Sequence, residues 1–274
     1  MVTVPGGWFK MGTDLSELNE RPEHDVFVDA FQMDKYEVSA SDFASFLNEK
    51  GNPENKYFST DEYSTIAKEN TSDGGQRYIP RKGFENYPAN NVSWYGADAY
   101  CRWKEKRLPY EAEWEKAARG NDGRTYPWDS GPPDETKARY GQKWDEKGLQ
   151  VMVPVDAMPG GASYYGVFKM TGNCREWVVD WYRQNYCNYC DPDSADYTET
   201  ALKIIGSDRE GEIRNKKGPD MPPKYDPKGP PVGSFKVLRG GSWEETDERS
   251  LRSSYRYWLD PGERRRDTGF RCAK

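Results

Sequence analysis

RGGSWEETDERSLRSSYRYW, residues 239–258, is the stretch on which the reading of this chain turns. A short strand is predicted near 235–240, running into two adjacent glycines and then Trp243, an aromatic suited to the core. Beyond it lies an acidic run of Glu244, Glu245, Asp247 and Glu248, which reads either as a solvated charge cluster or as oxygen ligands for a hard cation. Tyr255, Arg256, Tyr257 and Trp258 follow, side chains able to hold an anionic substrate but unable to activate oxygen alone. The stretch contains no cysteine and no histidine, and so no soft metal ligand.

Composition limits the options further. Hydrophobic residues are 35% of the 274 and charged residues 31%, so aliphatic core material is scarce. Ten Trp, 19 Tyr and 10 Phe compensate, each burying roughly 150–250 Å². That aromatic content excludes a disordered chain, while 26 Gly and 19 Pro predict a loop-rich one. A net charge of −6 argues against nucleic acid as a partner, because phosphate binding needs a concentrated basic footprint. The basic run Arg264-Arg265-Arg266 sits between Glu263 and Asp267 and reads as a solvated or salt-bridged turn. No apolar run approaches the roughly 20 residues of a membrane span, and the first residues lack signal-peptide architecture.

Alternation predicts strands over 7–13 and 25–32, and another near 151–155. Ser39 or Ser41 caps a predicted helix with Phe43, Phe46 and Leu47 on one face. Residues 51–92, polar and broken by Gly and Pro, read as a long loop. Ser93 caps a second helix carrying Trp94, Ala97, Cys101 and Trp103, and a third runs from about Glu111 to Arg119. No repeat of 20–50 residues is present. Residues 191–234 are almost all Asp, Lys, Gly, Pro and Glu apart from Ala201-Leu202-Lys203-Ile204-Ile205, and read as a surface insertion.

Several motifs arrive in order along nearly the whole chain. They are Val4-Pro5-Gly6-Gly7 with Met11-Gly12, Asp34-Lys35-Tyr36-Glu37-Val38, Asn91-Val92-Ser93-Trp94, and Arg107-Leu108-Pro109-Tyr110-Glu111-Ala112-Glu113-Trp114-Glu115. Tyr126-Pro127-Trp128, Gly172-Asn173 with Glu176-Trp177, Arg239 to Trp243 and Gly269 to Cys272 complete the series. Together they resemble the formylglycine-generating enzyme family, also called the sulfatase-modifying-factor domain. The resemblance implies an α+β fold: one compact domain over 1–274 with a variant C-type-lectin-like core and little regular secondary structure. It implies core positions for Trp94, Trp114, Trp177 and Trp243. Tyr110 replaces the family's usual Thr or Ser helix cap, at a cost on the order of 1 kcal/mol.

The family contains copper-dependent formylglycine generators, nonheme-iron sulfoxide synthases and partner-binding members, so function rests with the site. In the copper members two cysteines five residues apart follow the Gly-Gly-Ser-aromatic motif. Those positions fall on Glu245 and Ser250, and no cysteine occurs between Cys190 and Cys272. The iron members use several histidines, whereas this chain has only His24. The family's second calcium site, Asn-x-x-Gly-x-Ala-x-Glu, falls on Lys169 to Glu176. Gly172 and Glu176 match, Cys174 takes the Ala place, and Lys169 brings an ammonium whose charge is expected near Glu176. Arg139 falls where an Asn of the first calcium site is expected. No cofactor is predicted, and calcium at the remnant Gly172, Cys174 and Glu176 stays an open alternative. The resemblance also implies a disulfide between Cys101 and Cys272, and with it an oxidising, extracytoplasmic compartment. Cys187 and Cys190 read as a local disulfide or as free thiols.

Three functions follow. The first is a non-catalytic protein-binding or assembly subunit, accessory to a larger redox complex, with its protein partner at 191–234. The second is an oxygen-dependent oxidase of a peptidyl or small substrate, with a cleft at Trp243, Glu245, Ser250, Tyr255, Arg256 and Tyr257. The third is a glycan-binding lectin, whose usual calcium mode needs a carboxylate-rich site that the sequence does not clearly provide. The missing soft ligands favour the first, and no catalytic residue is assigned.

Overall fold

The computed structural model describes residues 1–129, 131–184 and 224–274. Among these residues the strands form four small sheets, and helices pack against them. Val2–Val4 (β1) pairs antiparallel with Phe31–Met33 (β4), and Gly7–Met11 (β2) with His24–Val28 (β3). The single strand expected over 25–32 is therefore two, because Asp29 and Ala30 carry the chain from one sheet to another.

Ala40–Lys50 (α1) begins at Ser39, whose Oγ accepts from the Asp42 amide at 3.2 Å, and it buries Phe43, Phe46 and Leu47. Within the expected loop 51–92, Ile66–Asn70 (β5) and Gln76–Pro80 (β6) form a hairpin. Its tip is polar and exposed, so no apolar alternation advertises it. Trp94–Trp103 (α2) is capped by Ser93 Oγ, which accepts from the Gly96 amide at 3.1 Å. At Glu111–Arg119 (α3), Tyr110 supplies no side-chain cap, yet the Glu113 carboxylate accepts the Tyr110 amide at 2.8 Å. The Arg107 guanidinium lies 5.0 Å from the Tyr110 ring. Half of the usual capping box therefore survives the loss of the hydroxyl.

After the short helix Trp144–Lys147 (α4), the strand expected at 151–155 does not form. The Val153 and Val155 amides donate instead to Asn173 Oδ1 (3.0 Å) and the Asn86 carbonyl (2.9 Å). The largest sheet has the order Arg256–Leu259 (β10), Lys236–Arg239 (β9), Arg175–Trp181 (β7) and Thr268–Gly269 (β11). Lys224–Tyr225 (β8) joins β3 in parallel, so the stretch after 223 rests on the domain. The rest of the expected insertion, 191–223, lies outside the described residues.

Strand β7 separates two apolar clusters. Trp177 joins the one built on α1, α2 and Phe270, where Cys101 and Cys272 are bonded as a disulfide. Val178, one residue on and facing the other way, joins the one built on β2, β3 and Trp114.

Arginine–carboxylate pairs are buried along this seam. Arg239 reaches Glu111 (3.1 Å) and Glu115 (2.5 Å) and donates to the carbonyls of Ser253 and Ser254. Asp180 accepts the Glu111 amide at 2.7 Å, and burial together with the Glu111 charge pushes its carboxyl up to about 8. This carboxyl keeps its proton when folded and releases it when unfolded, so its contribution to stability declines as pH rises from about 4 toward 8. Asp180→Asn is expected to flatten that slope, which urea unfolding at several pH values measures.

Candidate functional site

The site forms where β9 ends. Gly240 and Gly241 take φ of +92° and +63°, and a Cβ on Gly241 would lie 2.5 Å from the Ser250 carbonyl oxygen. Only glycine allows that approach. The turn drives Trp243 into a buried cluster with Cys174, Val151 and Met152, with Trp144 packed at its edge. The Gln142 amide closes over it, donating to the Trp243 carbonyl at 2.8 Å. The Arg266 guanidinium lies 5.3 Å from the Trp243 ring and 5.0 Å from Tyr63, and its Nη2 donates to Glu244 at 2.6 Å. From Asp247, the turn Glu248–Leu251 brings Ser250 back behind Gly241.

Glu245 does not face open solvent. It is ion-paired with Arg175, whose other terminal nitrogen pairs with Asp267. Asp267 is fully buried and accepts Ser242 Oγ at 3.1 Å. Arg175 also lies 4.6 Å from the ring of Tyr257. The Tyr255 hydroxyl is pushed up mainly by burial and then by the Glu245 charge. Glu245, Tyr255 and Tyr257 thus gather around Arg175, while Trp243 packs on its neighbour Cys174 and Ser250 stands behind Gly241. Arg256 does not join them: alternation along β10 turns it away from Tyr257, and it is buried with Nε on Glu111 at 2.6 Å.

The sequence reading missed Arg175 and Asp267, the pair that organises the group. Arg175 stands inside the motif Gly172-Asn173-Cys174-Arg175-Glu176-Trp177, and Asp267 lies two residues before Gly269-Phe270-Arg271-Cys272. Their position beside signature residues was the available signal.

A copper–thiolate centre does not fit this donor set. The two thiol positions hold a carboxylate bound to a guanidinium and a buried serine hydroxyl, neither of them a soft ligand. Cys174 is the free cysteine among the described residues. It is fully buried, its Sγ is 3.7 Å from Met152 Sδ, and burial raises its thiol well above the usual range. A thiol held protonated in this way is a poor metal ligand. Cys187 and Cys190 lie outside the described residues. His24 is buried in β3, with Nδ1 at 2.9 Å from the Pro22 carbonyl, and takes no place in the group.

Calcium fits no better. Lys169 is buried with its ammonium on the Ala157 carbonyl. The carboxylates whose charges act on it are Glu37 and Asp156, rather than the expected Glu176. Glu176 is held instead by Arg271 through two bonds of 2.6 and 2.7 Å, and by Trp114 Nε1 at 2.9 Å. Arg139 donates to the carbonyls of Val151 (2.8 Å) and Gln150 (2.5 Å). Cationic heads fill both ligand positions.

Comparison with known proteins agrees with this architecture. The chain is 31% identical over 275 residues to the serine/threonine-protein kinase Pkn1 of Chlamydia trachomatis serovar L2, covering all of this chain and 38% of that protein. It therefore spans well under half of that relative. It is 30% identical over 313 residues to the formylglycine-generating enzyme of Bos taurus, covering all of this chain and 74% of the enzyme. It is 34% identical over 220 residues to the inactive C-alpha-formylglycine-generating enzyme 2 of Bos taurus, covering 67% and 71%. The relatives thus include proteins named as catalysts and as inactive forms. The structure of PvdO from Pseudomonas aeruginosa shares the fold at a TM-score of 0.64 and 24% identity, over 99% of this chain and 92% of that one. The family described as the sulfatase-modifying factor enzyme 1-like domain matches residues 1–274, and the chain belongs to that family.

Proposed function

We propose that this protein is a non-catalytic binding or assembly subunit that works in an extracytoplasmic, oxidising compartment, accessory to a larger redox complex. The observation that carries this reading is the Glu245–Arg175–Asp267 group at the place where the family's copper thiolates stand. Each carboxylate is already paired with a guanidinium, Arg175 with both and Arg265 at 3.4 Å from Asp267, and the donors are hard, a poor match for Cu(I). The Cys101–Cys272 bond supports the compartment. A partner surface is supported by Phe235 and Trp258, both exposed beside Tyr182, which stacks on Trp258 at 4.2 Å and donates its amide to the Phe235 carbonyl at 2.8 Å. Exposed apolar side chains grouped in this way mark contact surfaces.

The test is metal analysis and oxygen uptake on the purified protein, with affinity capture from its native extract. The expected result is neither copper nor iron at stoichiometric level, no oxygen consumption with thiol-containing peptides, and one partner recovered in fixed ratio. Trp258→Ser is expected to weaken that capture by about tenfold or more, the scale of an aromatic anchor, while the lost Tyr182 stacking lowers the melting temperature by only a few degrees. Stoichiometric copper or iron with oxygen uptake would instead establish the oxidase reading.

A further inference from the structure

Residues 140–157 form a wall beside Trp243 with little regular structure: the short helix α4, one helical turn at Gly148–Val151, and irregular chain beyond. Such a segment must satisfy its carbonyl oxygens by other means. Two cations do so. The Arg139 guanidinium spans two consecutive carbonyls, Gln150 and Val151, and the buried Lys169 ammonium takes the Ala157 carbonyl.

Neither cation has a carboxylate ion pair within 4.0 Å among the described residues, although Asp156 adjoins the Lys169 contact in sequence. Asp156 Oδ1 is instead taken by Asn86 Nδ2 at 2.9 Å. Positive charge set against backbone carbonyl oxygens, half-buried at Arg139 and buried at Lys169, is the ligation that a hard divalent ion uses. The two contacts are tied together through Gly172 and Asn173. Gly172 bridges Arg139, the Asn173 amide donates to the Arg139 carbonyl at 2.9 Å, and Asn173 Nδ2 donates to Glu37 at 2.7 Å. A Cβ on Gly172 would come within 2.4 Å of the Arg139 carbonyl oxygen, so the two chains touch at their backbones.

We infer that Arg139 and Lys169 are built-in cations standing in for divalent ions, and that they hold the 140–157 wall in place without metal. The inference does not depend on whether the cleft is catalytic. It makes the wild-type protein indifferent to calcium and chelators, and it makes the two side chains the switch for that property.

The test begins with the unaltered protein. Its melting temperature is measured in excess chelator and in about 1 mM calcium, the weak end of protein calcium affinities, with equilibrium dialysis of radioactive calcium alongside. The expected result is a difference within about 1 °C and no stoichiometric binding. A rise of roughly 5 °C or more in calcium, as ligand linkage gives for an occupied site, overturns the inference. Lys169→Met and Arg139→Met should each melt several degrees lower and gain nothing from calcium. Lys169→Asn and Arg139→Asn put an oxygen where the cation stood, and should recover part of the same loss when calcium is added. Methionine variants that melt like the wild type, or that calcium rescues, also overturn it. The wild-type arm decides the matter even if a variant fails to fold.

Discussion

Arg239→Met is expected to cost about 3–5 kcal/mol of folding stability, the scale of stripping one partner from a buried ion pair. Arg239 is fully buried, as are its partners Glu111 and Glu115. Removing it leaves Glu111 to Arg256 and Glu115 to Arg119, and leaves the Ser253 and Ser254 carbonyls short of a donor. The pH dependence gives a second signature. Burial alone would raise the Glu111 carboxyl, but the guanidinium groups of Arg256 and Arg239 outweigh it and hold it below the usual range. A carboxylate depressed in this way stabilises the fold above its unfolded value, and the gain is lost as pH falls through the folded one. The gap between wild type and Arg239→Met should therefore be full at neutral pH and narrow below about pH 4. Urea unfolding at pH 7 and at mildly acid pH measures both. A loss under about 1 kcal/mol, or a gap that widens in acid, contradicts the assignment.

The second large effect is expected from Cys101→Ala with Cys272→Ala. The bond joins residues 171 positions apart, and loop-entropy models give such a closure roughly 4–5 kcal/mol. For a chain of 274 residues this corresponds to about 10 °C in melting temperature. Both sulfurs are fully buried, so truncation to alanine adds a small packing loss to the entropic one. Calorimetry of the double variant checks the sum. The same variant produced in a reducing compartment should match the reduced wild type.

The sequence disclosed the elements whose signals are local. Ser39 and Ser93 announce α1 and α2 because a hydroxyl reaching an amide three residues on is a nearest-neighbour event. The glycines before Trp243 likewise report a backbone approach that no other residue permits. Strand β7 was hidden for the opposite reason. Arg175, Glu176 and Asp180 would be costly inside a sheet, and they are tolerated because Asp267, Arg271 and the Glu111 amide arrive from distant parts of the chain. Arg256 was misplaced in the cleft because charge suggests a surface, whereas its partner Glu111 lies 145 residues earlier. The expected strand at 151–155 failed because Asn173 and Asn86 took the backbone bonds that a neighbouring strand would have supplied.

The closing segment has one more consequence. Strand β11 pairs with β7, Arg271 neutralises Glu176, and the Ala273 and Lys274 amides donate to the Arg107 and Gln32 carbonyls at 2.7 Å each. Segments around residues 32, 107 and 175–176 are thus locked by residues 268–274, which are synthesised after all of them. During vectorial synthesis the nascent domain has to wait with its central sheet edge uncovered and the Glu176 carboxylate without its counter-ion. That interval is when a chaperone would find it, and translation stalled a few residues before 268 should leave a protease-sensitive chain.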